Sequence, residues 1–430
     1  VMGLGYIGLP TAIVSAESGF ETLGFDVDKS RVQRIKNYDP VIKEAEILTR
    51  LESALKKFNL RVESQMEQAD CFIIAVPTPF KEDKVPDLSY LWSACDLLAP
   101  YLKYQDLVII ESTVPVGTTD EFSKRLEKIT GLIAGKDFYV AHCPERVLPG
   151  RIFYEIINNS RIIGGINKLS LDLAKTFYEK FVIGKLYLTN SSTAEMVKLV
   201  ENSSRDVSIA FANQVADMAK ESGLDPYEVI ELANKHPRVK ILNPSCGVGG
   251  HCIAVDPWFL VKQFPESTKL LKSAREINDR RPEQVIEEIN SFVEKFNLKN
   301  NLNPKILCLG LTYKPDTDDL RESPALLIAK KLSNFSNCKV SVCDPLVLPE
   351  LLPELEFVDL KLSNYDELLS CYDLVVCLVS HKEFKLLKNF ISKSVNILDF
   401  CGLMRSENLL ENSSNKEYFF WPADSKEKHL

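Results

Sequence analysis

The run Gly247-Val248-Gly249-Gly250-His251-Cys252 places a cysteine directly behind a cluster of glycines. Such a run strips side chains from the approach to the sulfur and leaves backbone N–H groups free to hold an oxyanion. A thiolate attacking a carbonyl needs both. Asp256 stands four residues on, so a helix beginning at Cys252 would turn both side chains to one face. A glycine turn that buries a structural cysteine fits the same run. His251 fits a surface position better than a role in ionising the thiol. Lys198 and Asn202 are spaced i, i+4 within a helical pattern that also holds Glu195 and Glu201. An ammonium and an amide sharing one face could hold a developing alkoxide or a water, although two solvated side chains have the same spacing.

A second chemistry is written at the start of the chain. Gly3, Gly5 and Gly8, with Tyr6 and Ile7 between the last two, form a GxGxxG that opens a helical pattern. Roughly twenty residues on, an apolar run ends at Asp26, as a dinucleotide-binding turn requires. Gly3 permits the tight turn, Gly5 lets backbone N–H groups approach a pyrophosphate, and Gly8 lets helix and sheet pack closely. The helix N-terminus then faces the negative charge. Asp26 would accept hydrogen bonds from the adenosine ribose hydroxyls and repel a 2′-phosphate, which favours NAD over NADP. Asp28 competes for that role, or simply starts the next helix. Two loops that follow apolar runs, 76–79 and 111–117, offer the hydroxyls of Thr78 and Thr113 at the sheet edge where such folds bind ligands. Proline-stiffened turns with local hydrogen bonds are the other reading of these loops.

The elements that must position these groups alternate. Apolar runs at 22–27, 71–76, 107–112, 138–142 and 162–164 read as strands. Between them, 88–98 and 120–129 read as helices, giving βαβ units and a parallel sheet. The chain opens at Val1 and is in the glycine turn by Gly3, so the strand expected before that turn reads as clipped. Residues 192–223 hold one long helical pattern, with Ser192 or Thr193 as N-cap and Gly223 just past the end. Helical patterns at 226–235 and 267–296 follow. Strand patterns then return at 305–309, 339–343, 374–379 and 395–399, with a helix at 323–332 and an Asp344-Pro345 after the second strand. The reading is an α/β protein: two Rossmann-like parallel-sheet domains (1–190 and 301–410) joined by a long-helix middle domain (191–300), with a polar tail at 411–430.

Composition bounds the partners. The 430 residues carry a formal charge of −8, which argues against nucleic acid and against anionic membrane surfaces. No apolar run reaches bilayer length. The 11 cysteines are scattered with no CxxC pair, which reads as reduced thiols in a cytoplasmic protein, and no cluster has the spacing of a metal site.

The ordered motifs GLGYIGLP, AVPTPF, ESTVPVG, CPERVLPG, TAEMVKLVEN, HPRV, GVGGHCIAVDPWF and GLTYKPDTDDLRESPA span Gly3 to about Gly402. Together they resemble the UDP-glucose/GDP-mannose dehydrogenase family, most closely its branch acting on N-acetylated sugars. The resemblance implies oxidation of the C6 hydroxymethyl of a UDP-N-acetylhexosamine, with UDP-N-acetyl-D-mannosamine foremost, to the uronic acid. Two NAD per turnover, a homodimer and a place in surface polysaccharide synthesis come with it. It puts the nucleophile on Cys252 and its acidic partner on Asp256, with Lys198, Asn202, Glu145 and Thr113 as further catalytic groups. Substrate contacts fall on Arg146, Val147, Arg238, Gly249, His251 and Lys314. Arg321 falls in a loop over the phosphates, on the cofactor side. Pro149 stands where UDP-glucose enzymes carry a second glutamate, so activation of the hydrolytic water is left to Glu145 or Asp256. Two rival readings stay open. A two-electron hydroxyacid-type dehydrogenase would need no GGHC and would make one NADH per substrate. A non-catalytic nucleotide-sugar-binding protein would turn nothing over.

Overall fold

A computed structural model describes the chain apart from residues 41, 43, 45, 82, 148–149, 251, 359–368, 390–394 and 405–430. Pro149, His251 and the expected tail thus lie outside the described residues. The chain forms two compact units. The first comprises Val1–Asn202 with Trp258–Pro265, and the second Ser203–Pro257 with Glu266–Leu430. Among the described residues no helix is long and apolar enough to cross a membrane.

In the first unit the strands are β1 (Thr22–Phe25), β2 (Leu60–Glu63), β3 (Cys71–Ile74), β4 (Leu107–Ile110), β5 (Tyr139–His142), β6 (Arg161–Gly165) and β7 (Leu186–Asn190). β1 pairs with β2, and the other five run in the order β3-β4-β5-β6-β7. Met2 stands between the two groups, bridging Phe25 on one side and Ile74 on the other in parallel register. It occupies the place of the first strand of a doubly wound sheet. The central strands are continuous apolar runs because helices cover both faces. β4 is buried at every position, and the helix Gly8–Glu17 is buried along nearly its whole length. One pairing departs from an all-parallel sheet: β6 meets β5 antiparallel at Ala141↔Gly165 and His142↔Gly164. Trp258–Pro265 joins this unit through Gln263, whose amide accepts from the N–H of Val116 (3.1 Å) and donates to its carbonyl (2.7 Å).

The long helix spans Ser191–Glu221. Its first turn is capped by Asn190, whose Oδ1 accepts from the Thr193 N–H at 2.8 Å, rather than by Ser192 or Thr193. The last residue of β7 already carries an acceptor there, so the cap falls earlier than the Ser/Thr pair indicated. Gly223 ends it as expected, at φ +66°, with Leu224 N–H returning to the Ala219 carbonyl.

In the second unit the strands are β8 (Lys305–Leu309), β9 (Lys339–Cys343), β10 (Glu356–Phe357), β11 (Leu374–Cys377) and β12 (Asn396–Asp399), all parallel, in the order β10-β9-β8-β11-β12. The helix Lys269–Asn300 brings buried polar groups to the rest of the unit. Buried Arg275 pairs with buried Asp206 at 2.5 Å. Asn278 binds Asp206 and Asn213, and Asn213 in turn accepts from Ser245 N–H at 2.9 Å. Arg281 Nε donates to the Ser245 carbonyl at 3.2 Å. Ser245 is thus fixed just before the glycine-rich run. This buried polar network specifies one arrangement, since any partner removed strands the others.

Candidate active site

The three glycines of the opening turn have three separate geometries. Gly3 sits at φ +89°, and a Cβ there would lie 2.8 Å from the Ala75 carbonyl oxygen. A Cβ on Gly8 would lie 1.8 Å from the Gly3 carbonyl oxygen, so helix and turn meet with no room for a methyl group. Around Gly5 nothing lies within 4 Å. The protein leaves that space open, as a turn receiving a pyrophosphate should. Asp26 is buried, and its Oδ2 accepts from Leu4 N–H at 2.8 Å and pairs with Arg31 at 2.9 Å. Its Oδ1 accepts from Asp28 N–H at 2.9 Å. Asp28 itself caps the helix Lys29–Lys36 through Ser30 and Arg31, so the competing acid has a structural task. Tyr6 donates its hydroxyl to Glu44, while Ile7 packs half-buried against the first core.

The two threonine loops meet. Thr78 donates its hydroxyl to the Thr113 carbonyl at 2.7 Å, and Ser112 donates to the Val76 carbonyl at 2.7 Å. Thr113 is half-buried beside them. Buried Glu195 holds the next turn by accepting from the N–H groups of Gly117 and Thr119. One and two turns further along the same helix are Lys198 and Asn202, both half-buried. His142, at the end of β5, is buried, and burial lowers its pKa to about 3, with the charge of Lys198 adding to the effect. It is therefore a neutral imidazole at any working pH.

Glu145 is buried, and its carboxylate accepts from Arg146 N–H at 2.6 Å and pairs with Arg161 at 2.9 Å. Arg161 also lies 3.7 Å from Glu111, which takes hydrogen bonds from Tyr178 (2.8 Å) and Thr11 (3.2 Å). Burial pushes the Glu111 carboxyl up, against the opposing charge of Arg161. Arg146 turns away to Glu201 at 2.5 Å, and Val147 packs against the first core. Two carboxylates sharing one buried guanidinium were not foreseen. The available signal was an arginine opening the apolar run 161–164, where a charge persists only if paired.

In the second unit Cys252 is exposed, and its carbonyl accepts from the N–H groups of Val255 (3.0 Å) and Asp256 (2.8 Å). The helix begins at Asp256, not at Cys252. The intervening residues form a turn, and Pro257 suits the first helical turn that follows. Asp256 is buried while the thiol is exposed. The glycines before the thiol are required by packing as well. A Cβ on Gly249 would lie 2.4 Å from the Glu322 carbonyl oxygen, and one on Gly250 3.0 Å from the Tyr313 ring. Gly250 N–H donates to the Arg321 carbonyl at 3.0 Å. Tyr313, whose hydroxyl is pushed up to about 12 first by burial, and Arg321, raised first by its hydrogen bond to Asp319, both sense the charge of Cys252. Lys314 lies half-buried in the same loop, with its ammonium 5.7 Å from the centre of the Tyr313 ring. Arg238 is exposed on the turn after the helix Pro226–Ala233.

At the edge of the second sheet the structure gives Asp344, marked in the sequence only as the end of a strand, a partner that the sequence reading missed. Gly310 turns at φ +88°, and Asp344 accepts from Leu311 N–H at 2.7 Å and Leu346 N–H at 2.9 Å. Buried His381 contacts the same carboxylate at 3.2 Å. The Asp344-Pro345 after an apolar run was the available signal, being the counterpart of Asp26.

Three family models match the chain. The UDP-glucose/GDP-mannose dehydrogenase family NAD binding domain matches residues 1–182, its central domain 192–280 and its UDP binding domain 307–406. A protein of Methanocaldococcus jannaschii named UDP-N-acetyl-D-mannosamine dehydrogenase is 44% identical over 97% of this chain and 95% of its own. One of Ralstonia solanacearum, named NDP-N-acetyl-D-galactosaminuronic acid dehydrogenase, is 43% identical over 95% of this chain and 96% of its own. The solved structure of a UDP-D-ManNAc dehydrogenase from Pyrococcus horikoshii superposes with a TM-score of 0.85 at 43% identity, covering 94% of this chain and 96% of that one.

Proposed function

The chain belongs to the UDP-glucose/GDP-mannose dehydrogenase family, and on that premise we propose that it oxidises the C6 hydroxymethyl of a UDP-N-acetylhexosamine to the carboxylate. UDP-N-acetyl-D-mannosamine is the foremost substrate, supported by the names of the relatives from M. jannaschii and P. horikoshii. The name of the R. solanacearum relative supports the galactosamine form as an alternative, and the glucosamine form is the other epimer to be tested. One observation carries the chemistry: an exposed thiol, Cys252, on a glycine-rich turn beside a guanidinium that senses its charge.

NAD, when bound, supplies the hydride acceptor, twice per substrate. The cradle open around Gly5 and the carboxylate of Asp26 fit its pyrophosphate and ribose. In the proposed first oxidation Lys198, directly or through a water held with Asn202, takes the hydroxyl proton as the C6 hydride leaves. The Cys252 thiolate then adds to the aldehyde carbon, and the oxygen takes a proton to give a thiohemiacetal. Loss of a second hydride and that proton leaves a thioester. Water adds, the C–S bond breaks, and the carboxylate departs with the thiolate restored. Glu145, held by Arg161 and by its neighbour's N–H, or Asp256 orients that water in this scheme. Thr113 belongs to the substrate end of the first sheet in the same reading, and Arg146, Val147, Arg238, Gly249 and Lys314 to nucleotide-sugar recognition, with Arg321 at the cofactor phosphates.

The reading includes a cytoplasmic site of action, supported by 11 free cysteines. It also includes a homodimer, for which the exposed Phe211 and Met218 of the long helix offer an apolar surface. The test is a count of NADH per sugar with the three UDP-N-acetyl sugars side by side. Two NADH per acid are expected, none from Cys252→Ser at steady state. One NADH per substrate would select the two-electron rival, and acid formation by Cys252→Ser at the wild-type rate would sink the covalent scheme.

A further inference from the structure

His381 lies beneath the loop 311–323 with no exposed surface, and each of its ring nitrogens has an assigned partner. Asp316 donates its backbone N–H to Nδ1 at 3.0 Å, so Nδ1 must carry the lone pair and Nε2 the proton. Nε2 is 3.2 Å from both Thr312 Oγ1 and Asp344 Oδ2. Thr312 passes its own proton to the Lys314 carbonyl at 3.0 Å. Asp316 Oδ1 accepts from Lys382 N–H at 3.0 Å, closing the clamp from the other side. The clamped residue is unusual: Asp316 stands at φ +58°, as does Glu322 at +50°, a conformation that side-chain-bearing residues keep only where the surroundings hold them there. Nδ1 also lies near the carboxylates of Asp316 and Glu383 at metal-like spacing, but its lone pair is already taken by the Asp316 N–H.

The far side of this loop is the bed of the glycine-rich run. Tyr313 and Glu322 leave no space for a side chain at Gly249 or Gly250, Arg321 takes the Gly250 N–H, and Tyr313 and Arg321 both sense Cys252. Tyr313 is itself tied to Asp319 by its N–H at 3.1 Å. We infer that His381 is a positioning residue for Cys252, acting through the bond from Asp316 N–H to Nδ1 and the loop that this bond clamps. It touches no reacting atom. The inference rests on the thiol chemistry proposed above, but its first readout needs no turnover.

That readout is the rate at which iodoacetamide alkylates Cys252 in the full chain, followed by mass spectrometry of the peptide, alongside kcat and the KM for NAD. In His381→Ala, alkylation of Cys252 should slow about threefold as Arg321 drifts from the thiolate. Its kcat should fall roughly tenfold with the KM for NAD unchanged. His381→Asn carries an acceptor at the δ position and should restore both values. His381→Gln, which replaces only the Nε2 side, should not. Wild-type alkylation and kcat in His381→Ala would overturn the inference, as would an Asn variant as impaired as Ala or a Gln variant that rescues. If His381→Ala does not fold, the Asn and Gln pair decides alone. Should Cys252→Ser still make acid, the proposed function fails while the alkylation arm still judges His381.

Discussion

The two sheets make the same backbone turn after their first strand position and answer it with different side chains. In the first, Gly3 at φ +89° donates its N–H to Phe25, and Asp26 accepts from Leu4 and Asp28. In the second, Gly310 at φ +88° donates to Cys343, and Asp344 accepts from Leu311 and Leu346. The partner of Asp26 is Arg31, partly exposed; the partner of Asp344 is His381, fully buried. In the first unit the turn enters a helix at once, at Gly8, and leaves space at Gly5. In the second the chain runs on through a long loop to the helix Pro324–Ser333. One carboxylate geometry thus serves two ends. A guanidinium at the surface leaves the first open to a ligand, while a buried imidazole underneath ties the second to a loop.

Alanine at either turning glycine should give the largest effect. Gly310→Ala would set a Cβ 2.4 Å from Val379 Cβ, and Gly3→Ala one 2.8 Å from a backbone oxygen, both at positive φ. Each should lose about 3 kcal/mol in denaturant unfolding. A large loss at one and none at the other would break the equivalence. The aspartates should then separate by function. Asp26→Asn should raise the KM for NAD roughly tenfold by weakening a charge-assisted site, whereas Asp344→Asn should leave it unchanged. Asp344 shows its own signature in acid. Burial pushes its carboxyl up, but the hydrogen bonds from His381, Leu311 and Leu346 outweigh that and hold it below the usual range. A lowered carboxyl contributes stability above its unfolded value of about 4, and loses it as pH falls through the folded one. Asp344→Asn should flatten that acid limb of the melting curve. The smallest effect on folding belongs to Gly5→Ala, which meets nothing within 4 Å and should melt with wild type while binding NAD more weakly by calorimetry. Equal NAD affinity there would show that the open space is not the pyrophosphate cradle.

What the sequence made legible follows from local physics. β8 and β9 lie where their apolar runs place them, because continuous burial in a parallel sheet leaves a continuous pattern. Gly8 also declares itself, since a Cβ there would strike the Gly3 carbonyl oxygen only five residues back. β2 and β7 do not. Leu60–Glu63 carries two charges in four residues, and Leu186–Asn190 is half polar, as edge strands often are. The pairing of Glu145 with Arg161, and of Thr312 with His381 across 69 residues, depends on a tertiary fold that no window of sequence contains. Cys252 was found by its neighbours, but its exposure and the burial of Asp256 were not, because the helix start had moved by a turn.

The segment Trp258–Pro265 belongs with Val1–Asn202, although 55 residues of the second unit, Ser203–Pro257, come between. Gln263 reaches back 147 positions to satisfy both backbone groups of Val116. On the ribosome, the first unit therefore emerges unfinished. Its last piece follows only after a stretch of its neighbour has been made, a wait of seconds at about 5–20 residues per second. Through that interval the groups that Gln263 later covers stay open to water, to chaperones or to another nascent chain.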